Sequence, residues 1–208
     1  MKREKRVLII DSGLGNINSL VNCIDSLDFK YQVISDPNTN IDFDKIIFPG
    51  VGSYNFAMKL ITEKKWDFFI KKNILDDKKY FLGICIGMQV LSNIGHENKI
   101  TNGLGIIDSE VKVFNSEKNN IKLPHIGWND VEKINPSELF EGVQNFSDFY
   151  FDHSYVMEVE NEKYITSLTD YNKTFVSSVK KQNIYGVQFH PEKSAFNGKK
   201  ILNNFLRL

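Results

Sequence analysis

The stretch YFLGICIGMQ (residues 80–89) is an apolar run that ends in a Gly-x-Cys-x-Gly sequence centred on Cys85. Its first five residues have the length and composition of a buried strand. Glycine permits a sharp turn and leaves the neighbouring sulfur uncovered. A strand, a small residue, a nucleophile, a small residue and a helix form the nucleophile-elbow pattern, here with Cys instead of Ser. The run therefore predicts a strand-to-helix turn, and the N-terminus of the helix would favour the thiolate of Cys85.

Around this stretch, short apolar strands alternate with helical patterns over roughly the first 95 residues. Strands buried on both faces and separated by helices are typical of a parallel sheet with helices on both sides. The second half changes to alternating segments between turns, which favour antiparallel or mixed strands. The sequence predicts an α/β fold of three layers, with a mostly parallel central sheet and a mixed or antiparallel second-half sheet. The expected strands are 7–11, 31–34, 45–48, 80–84, 111–114, 149–151, 154–159, 164–168, 175–179 and 184–189, and the expected helices are 17–27, 54–61, 66–75 and 198–208.

The composition argues against several classes of protein. The chain has 26 Lys and Arg against 26 Asp and Glu, so nothing favours binding to nucleic acid or to an anionic membrane. Only four apolar residues follow the basic MKREKR at the N-terminus, which is too short for a signal peptide, and no run approaches a membrane span. With Cys23 and Cys85 as the only cysteines, a disulfide framework is not expected. These features predict a cytoplasmic protein, and the lack of a linker or repeat predicts a single domain over residues 1–208.

A second motif, QFHPE (residues 188–192), follows about a hundred residues after the elbow. In extended chain, residues two apart face the same side, so Glu192 can reach His190. The carboxylate would fix the tautomer of His190 and leave its other nitrogen free to face the Cys85 sulfur. The order Cys, His, Glu differs from the Ser, Asp, His order of α/β-hydrolases. The two motifs predict a cysteine-nucleophile enzyme, and the four histidines show no metal-ligand spacing, so no metal is expected.

The turn PGVG (residues 49–52) follows the third expected strand and should lie beside the elbow. Its backbone N–H groups, at Val51 and Gly52, could point at a developing negative charge. The amide of Ile86, next after the nucleophile, is the natural further donor. The turn is therefore predicted to form an oxyanion hole.

The segment LPHIGWN (residues 123–129) shows no periodicity. Two interpretations remain open from its residues alone. It is either a loop with a satisfied His and a half-buried Trp, or a surface that meets a partner, since Trp anchors interfaces well. In FDHSY (residues 151–155), Ser154 follows a His but has no glycine elbow, so it is not expected to be a nucleophile.

Taken together, these motifs resemble the class I (triad) glutamine amidotransferases. The segments 124–129 and 151–155 resemble more narrowly the glutaminase subunits of imidazole glycerol phosphate synthase, and the resemblance extends from near Arg6 to the C-terminus. It implies that Cys85, His190 and Glu192 hydrolyse glutamine to glutamate and ammonia through a thioester, with no cofactor. Residues that match the family's glutamine-binding positions are Gly52, Gln89, Glu97, Ser154 and Tyr155, and those that match partner-facing positions are Gly15, Asn16, His125, Trp128, Tyr150 and Lys193.

The same resemblance implies a partner, a (β/α)₈-barrel cyclase that forms a heterodimer with the chain and receives the ammonia through a channel. The cyclase would make imidazole glycerol phosphate in histidine biosynthesis. One departure is Asp152, which stands where the family usually has an apolar residue. It leaves open an alternative in which the same chemistry feeds a sugar amidotransferase of surface-polysaccharide synthesis. A further alternative is a non-catalytic regulatory subunit.

Overall fold

The computed structural model describes residues 6–114 and 122–208, so most of the basic N-terminal segment lies outside the described residues. Within these ranges, none of the helices has the length and apolar character that a membrane crossing requires. The strands are β1 (Val7–Ile10), β2 (Tyr31–Ile34), β3 (Lys45–Gly50), β4 (Tyr80–Cys85), β5 (Ile94–Gly95), β6 (Thr101–Asn102), β7 (Ser109–Val113), β8 (His125–Lys133), β9 (Ser147–His153), β10 (Tyr155–Val159), β11 (Ile165–Asp170), β12 (Thr174–Lys181) and β13 (Ile184–Val187). The α-helices are α1 (Asn18–Asp25), α2 (Tyr54–Glu63), α3 (Trp66–Lys71), α4 (Ile86–Gln89) and α5 (Ala195–Arg207).

Nine strands form the main sheet, in the order β2-β1-β3-β4-β13-β12-β11-β8-β9. The pairs from β2 to β13 are parallel, and those from β13 to β9 are antiparallel. Strand β13 lies at the change of direction, beside β4, so the end of the chain returns to the centre of the sheet. A second sheet has the order β10-β7-β5-β6. The predicted α/β class, with a parallel part from the first half and a mixed or antiparallel part from the second, is confirmed.

Helices cover both faces of the parallel half because its strands are apolar on both faces. In β1, Leu8 packs in one core and Ile9 in the other, as the alternation of side chains in a strand requires. Helices α2 and α3 contribute to the first core, and α1 and α5 to the second. The predicted three layers follow from this arrangement.

Several elements differ from the sequence-based expectation, which gave no strand for the two-residue β5 and β6. Strand β8 has nine residues where no strand was predicted, since only His125 and Val131 of it are buried and no apolar alternation marks it. It forms because seven of its residues pair with β9, a contact that local sequence does not report. Helix α4, after the elbow, has only four residues, so it brings no more than one turn of aligned peptide dipoles to the sulfur.

Candidate active site

Cys85 ends β4 in a strained backbone conformation. Its φ is 54° and its ψ is −110°, a region that side chains with a Cβ rarely adopt. The flanking glycines are required by close approach, since a Cβ on Gly83 would overlap the backbone of Gly87, and a Cβ on Gly87 would overlap the carbonyl oxygen of Phe48. The sequence thus folds locally into the sharp turn that its Gly-x-Cys-x-Gly pattern predicted.

The fold brings His190 and Glu192 to this turn. Val187, the last residue of β13, pairs with Ile84 of β4, so the chain that continues from β13 passes beside Cys85. The Nδ1 of His190 lies 2.8 Å from Oε1 of Glu192, with both side chains largely buried. Because the carboxylate can only accept, Nδ1 carries the proton and donates it. Nε2 of His190 has no hydrogen-bond partner in the described residues and is the nitrogen left for the sulfur.

The charge state of His190 follows from two opposing effects. Burial by itself would lower its pKa, but the Cys85 sulfur and the Glu192 carboxylate raise the pKa to about 10. Together, these two neighbours outweigh the cost of burying the cation. The arrangement favours an imidazolium beside the Cys85 sulfur at neutral pH. Such a pair is a nucleophile with a proton donor in place.

Glu192→Gln is expected to lower the turnover of glutamine by about 10- to 100-fold, because the amide removes one of the two groups that hold the proton on His190. The pKa of His190 should fall, and NMR titration of its ring is the measurement. Exchange of the exposed Glu63 for Gln is the control, and an unmoved His190 pKa in Glu192→Gln would contradict the role of the carboxylate.

The oxyanion donors are only partly in place. Gly50 pairs with Cys85, so the turn that follows β3 lies beside the elbow, as expected. However, the N–H of Val51 donates to the carbonyl oxygen of Leu14 at 3.1 Å and does not point at the site. In this conformation Val51 therefore departs from its predicted role. Gly52, with φ 126°, and Ile86, at the start of α4, line the site.

A cavity of about 220 Å³ opens at the sulfur. Its size suits a small metabolite better than a drug-sized ligand. Glu97 brings a carboxylate to it while accepting the backbone N–H of Tyr54 at 2.7 Å. A wider surface groove of about 560 Å³, between β8 and Lys180, holds none of the predicted site residues. The lining residues are Val51, Gly52, Cys85, Ile86, Gln89, Glu97, Pro124, Asp152, His153, Ser154 and Tyr155, which include every residue predicted to bind substrate.

Three residues predicted to face a partner lie close together. Trp128 and Tyr150 are paired across β8 and β9, with ring centroids 6.2 Å apart, and the Lys193 ammonium lies 5.3 Å from the Tyr150 ring. Trp128 is 54% exposed, so its side chain is available to a partner, as the second interpretation of its segment requires. Gly15 and Asn16 are exposed on the loop that contacts Val51.

His125 differs from this expectation. It is 3% exposed and stacks on Tyr171, with ring centroids 4.0 Å apart, so its side chain cannot meet a partner directly. Its Nδ1 lies 3.1 Å from Nε2 of His153, whose Nδ1 donates to the carbonyl oxygen of Tyr155. Burial lowers the pKa of His125 to about 4 and that of His153 to about 3. Both rings are therefore neutral supports beneath the wall of the cavity.

Sequence reasoning also missed Gln188 and His153 as neighbours of the sulfur and the cavity. Gln188 precedes His190 by two residues, so strand alternation alone places both on one side. His153 gave no such signal, since its contact with His125 depends on the pairing of β8 with β9. Within residues 6–114 and 122–208, no group of three or more His, Cys, Asp or Glu side chains is placed to hold a metal ion.

Comparisons with known proteins agree with this geometry. The family model for "Glutamine amidotransferase class-I" matches residues 8–208. The chain is 39% identical to imidazole glycerol phosphate synthase subunit HisH 1 of Campylobacter jejuni (strain RM1221), over 97% of this chain and 100% of that protein. It is 40% identical to the HisH subunit of Methanocaldococcus jannaschii, over 96% of this chain and 98% of that one.

Among solved structures, PurLQS from Thermotoga maritima superposes with a TM-score of 0.76 at 17% identity, covering 98% of each chain. At that identity the likeness concerns the fold alone. The match to the family model and the identity to full-length relatives show the family of the chain. The chain belongs to the class-I glutamine amidotransferase family and, within it, to the HisH subunits of imidazole glycerol phosphate synthase.

Proposed function

We propose that the chain is a glutaminase that releases ammonia for a partner subunit in histidine biosynthesis. The observation that carries this proposal is that the buried pair of His190 and Glu192 lies beside Cys85, which sits in its strained turn and lines a small cavity. Each group has a defined role in hydrolysis of an amide. Among the relatives, the matching proteins are HisH subunits of imidazole glycerol phosphate synthase.

In the first half of the reaction, the Cys85 thiolate attacks the side-chain amide carbon of glutamine. The carbonyl oxygen becomes an oxyanion that backbone N–H groups at Gly52 and Ile86 stabilise. As the carbon–nitrogen bond breaks, His190 gives its Nε2 proton to the departing nitrogen, which leaves as ammonia. A glutamyl thioester on Cys85 and a neutral His190 remain.

In the second half, a water molecule attacks the thioester carbon and His190 takes its proton. The tetrahedral intermediate expels the Cys85 thiolate, which regenerates the imidazolium–thiolate pair and yields glutamate. Glu192 keeps its hydrogen bond to Nδ1 throughout and so holds the ring in one orientation. The two steps replace one difficult hydrolysis.

The cavity fits the amino-acid part of glutamine. The carboxylate of Glu97 can bind an α-ammonium group, while Gly52, Ser154 and Tyr155 offer polar backbone or side-chain groups along the wall. Gln89 lies beside the sulfur and makes its amide contacts within the protein. Asp152 adds a second carboxylate to the lining, two residues along β9 from Tyr150.

The partner we propose is a (β/α)₈-barrel cyclase that docks on the face formed by Trp128, Tyr150 and Lys193 with the loop of Gly15 and Asn16. Ammonia in neutral water is mostly ammonium, which is no longer a nucleophile, so direct passage between closed sites preserves its reactivity. A cytoplasmic location is part of the proposal, because Cys85 needs a reducing environment to stay a thiol. The relatives favour this acceptor over a sugar amidotransferase, and an enzyme over a regulatory subunit.

The contact between Val51 and Leu14 suggests how partner docking would control turnover. Leu14 precedes the proposed docking residues Gly15 and Asn16, and its carbonyl oxygen accepts a hydrogen bond from the Val51 N–H. Movement of this loop on docking would free that N–H to turn toward the oxyanion. The isolated chain would then waste little glutamine. This control of turnover by docking rests on the same proposed glutaminase chemistry.

We expect glutamate release by the purified chain to rise by about 10- to 100-fold when a histidine-pathway cyclase and its ribulosyl ligand are added. The chain alone and the cyclase without ligand serve as controls. A rise supports both the chemistry and the acceptor. No glutamate under any condition would refute the glutaminase, and a slow release that the liganded cyclase leaves unchanged would refute the acceptor.

A further inference from the structure

The side chain of Gln188 is fully buried and contacts the proposed nucleophile. Its Nε2 lies 3.6 Å from the Cys85 sulfur, within the range of a hydrogen bond to sulfur. In the proposed hydrolysis, His190 and Glu192 take part but Gln188, two residues before His190, has no role. A buried amide aimed at a reacting atom needs a reason, because burying a polar group without a partner is costly.

The orientation of this amide is fixed by its surroundings. The carbonyl oxygen of Tyr155 can only accept, so Gln89 must turn its Nε2 toward it, at 2.9 Å. The same Nε2 lies 2.9 Å from Gln188, which must therefore present its oxygen there. That leaves the Nε2 of Gln188 facing the sulfur. The Tyr155 carbonyl is held in turn by the second donor, His153.

The other polar neighbour of the sulfur acts in the opposite sense. The carbonyl oxygen of Asp152 lies 3.9 Å from the sulfur and can only accept, so it favours the protonated thiol. The amide of Gln188 can only help the sulfur by donating, which favours the thiolate. A donor to an anion in a buried site forms a stronger hydrogen bond than a neutral pair does.

We propose that Gln188 is a further catalytic residue, which donates a hydrogen bond to the Cys85 thiolate, and that Gln89 is a positioning residue that orients its amide. The proposal rests on the assignment of Cys85 as the nucleophile. The neutral amide of Gln188 then supplements the cation of His190 as a proton-donating group near the sulfur. The imidazolium loses its proton when ammonia leaves, whereas the amide stays a donor through both halves of the reaction and stabilises the thiolate as the thioester breaks.

The test uses two substitutions in the full chain. Gln188→Met keeps the volume and removes the donor, and Gln188→Glu keeps the shape and places an acceptor against the sulfur. The control is Ser177→Ala, which removes a buried hydroxyl from the residue whose carbonyl oxygen binds the Gln188 backbone N–H. The readouts are the rate of Cys85 alkylation by iodoacetamide against pH, with mass spectrometry to locate the adduct, and kcat and KM for glutamine with the liganded cyclase.

We expect Gln188→Met to slow alkylation at pH 7 by about tenfold and to lower kcat by a similar factor, with KM changed less than about twofold. Gln188→Glu should lose more, since its carboxylate repels the thiolate, and Ser177→Ala should match the wild type in alkylation. The proposal is overturned if Gln188→Met is alkylated at the rate of the wild type. If that variant does not fold, a wild-type alkylation rate in Gln188→Glu overturns it instead. If the wild type is alkylated but releases no glutamate, the proposed glutaminase activity is refuted. The alkylation rates alone then decide whether the Gln188 amide donates to the sulfur.

Discussion

Replacing Cys85 with Ala is expected to lower glutamate release by about 10⁴-fold or more, because the thioester can no longer form. The loss should appear in kcat, measured with the liganded cyclase, while binding to the cyclase stays at the wild-type level. Trp128 and Lys193 pack against Tyr150, so the proposed docking face keeps its residues. Glutamate release is the measurement, with partner affinity measured in parallel.

The matched control is Cys23→Ala. Cys23 is buried in α1, and burial raises the pKa of its thiol, so it remains a neutral core residue. This variant should keep the glutaminase activity of the wild type. Full activity in Cys85→Ala would end the proposed mechanism, and equal losses in both variants would point to damage of the fold instead of the loss of a nucleophile.

Replacing His190 with Asn is expected to lower kcat by about 10³-fold, since the proton donor of the first step and the base of the second are one group. Alkylation of Cys85 at pH 7 should slow as well, because the imidazolium that stabilises the thiolate is gone. These two readouts, compared in the same preparation, separate the two roles. Unchanged alkylation with a lost kcat would mean that His190 transfers protons without stabilising the thiolate.

The raised pKa of His190 also predicts how stability changes with pH. Its ordinary value is 6.5, and in the folded chain it is raised to about 10. A group with a raised folded pKa contributes its full stabilisation below its unfolded pKa and loses it as the pH rises through the folded one. The unfolding free energy of the wild type relative to His190→Asn should therefore be highest below about pH 6.5 and decline toward pH 10, as measured by denaturant unfolding at several pH values. A difference that grows over this range would contradict the assignment of charge.

The sequence was informative where the chemistry depends on neighbours along the chain. The glycines around Cys85 and the two-residue spacing of His190 and Glu192 are local, so the elbow and the buried ion pair could be anticipated. The alternation of apolar strands and helices anticipated the parallel half of the sheet for the same reason. Strand β8 could not be anticipated, since its residues are mostly polar and it exists through its pairing with β9.

By itself, the sequence determined the α/β class, the nucleophilic turn and the identity of the groups beside it, because each depends on steric and hydrophobic preferences over a few residues. The tertiary structure decided which groups are accessible and which are already bonded. It buries His125 and places the carbonyl oxygen of Leu14 where it accepts the Val51 N–H. It also orients the Gln188 amide toward the sulfur by a hydrogen bond from Gln89. These features arise from contacts between residues far apart in the chain, and a hydrogen bond between such residues leaves no periodic signal in the sequence of either partner.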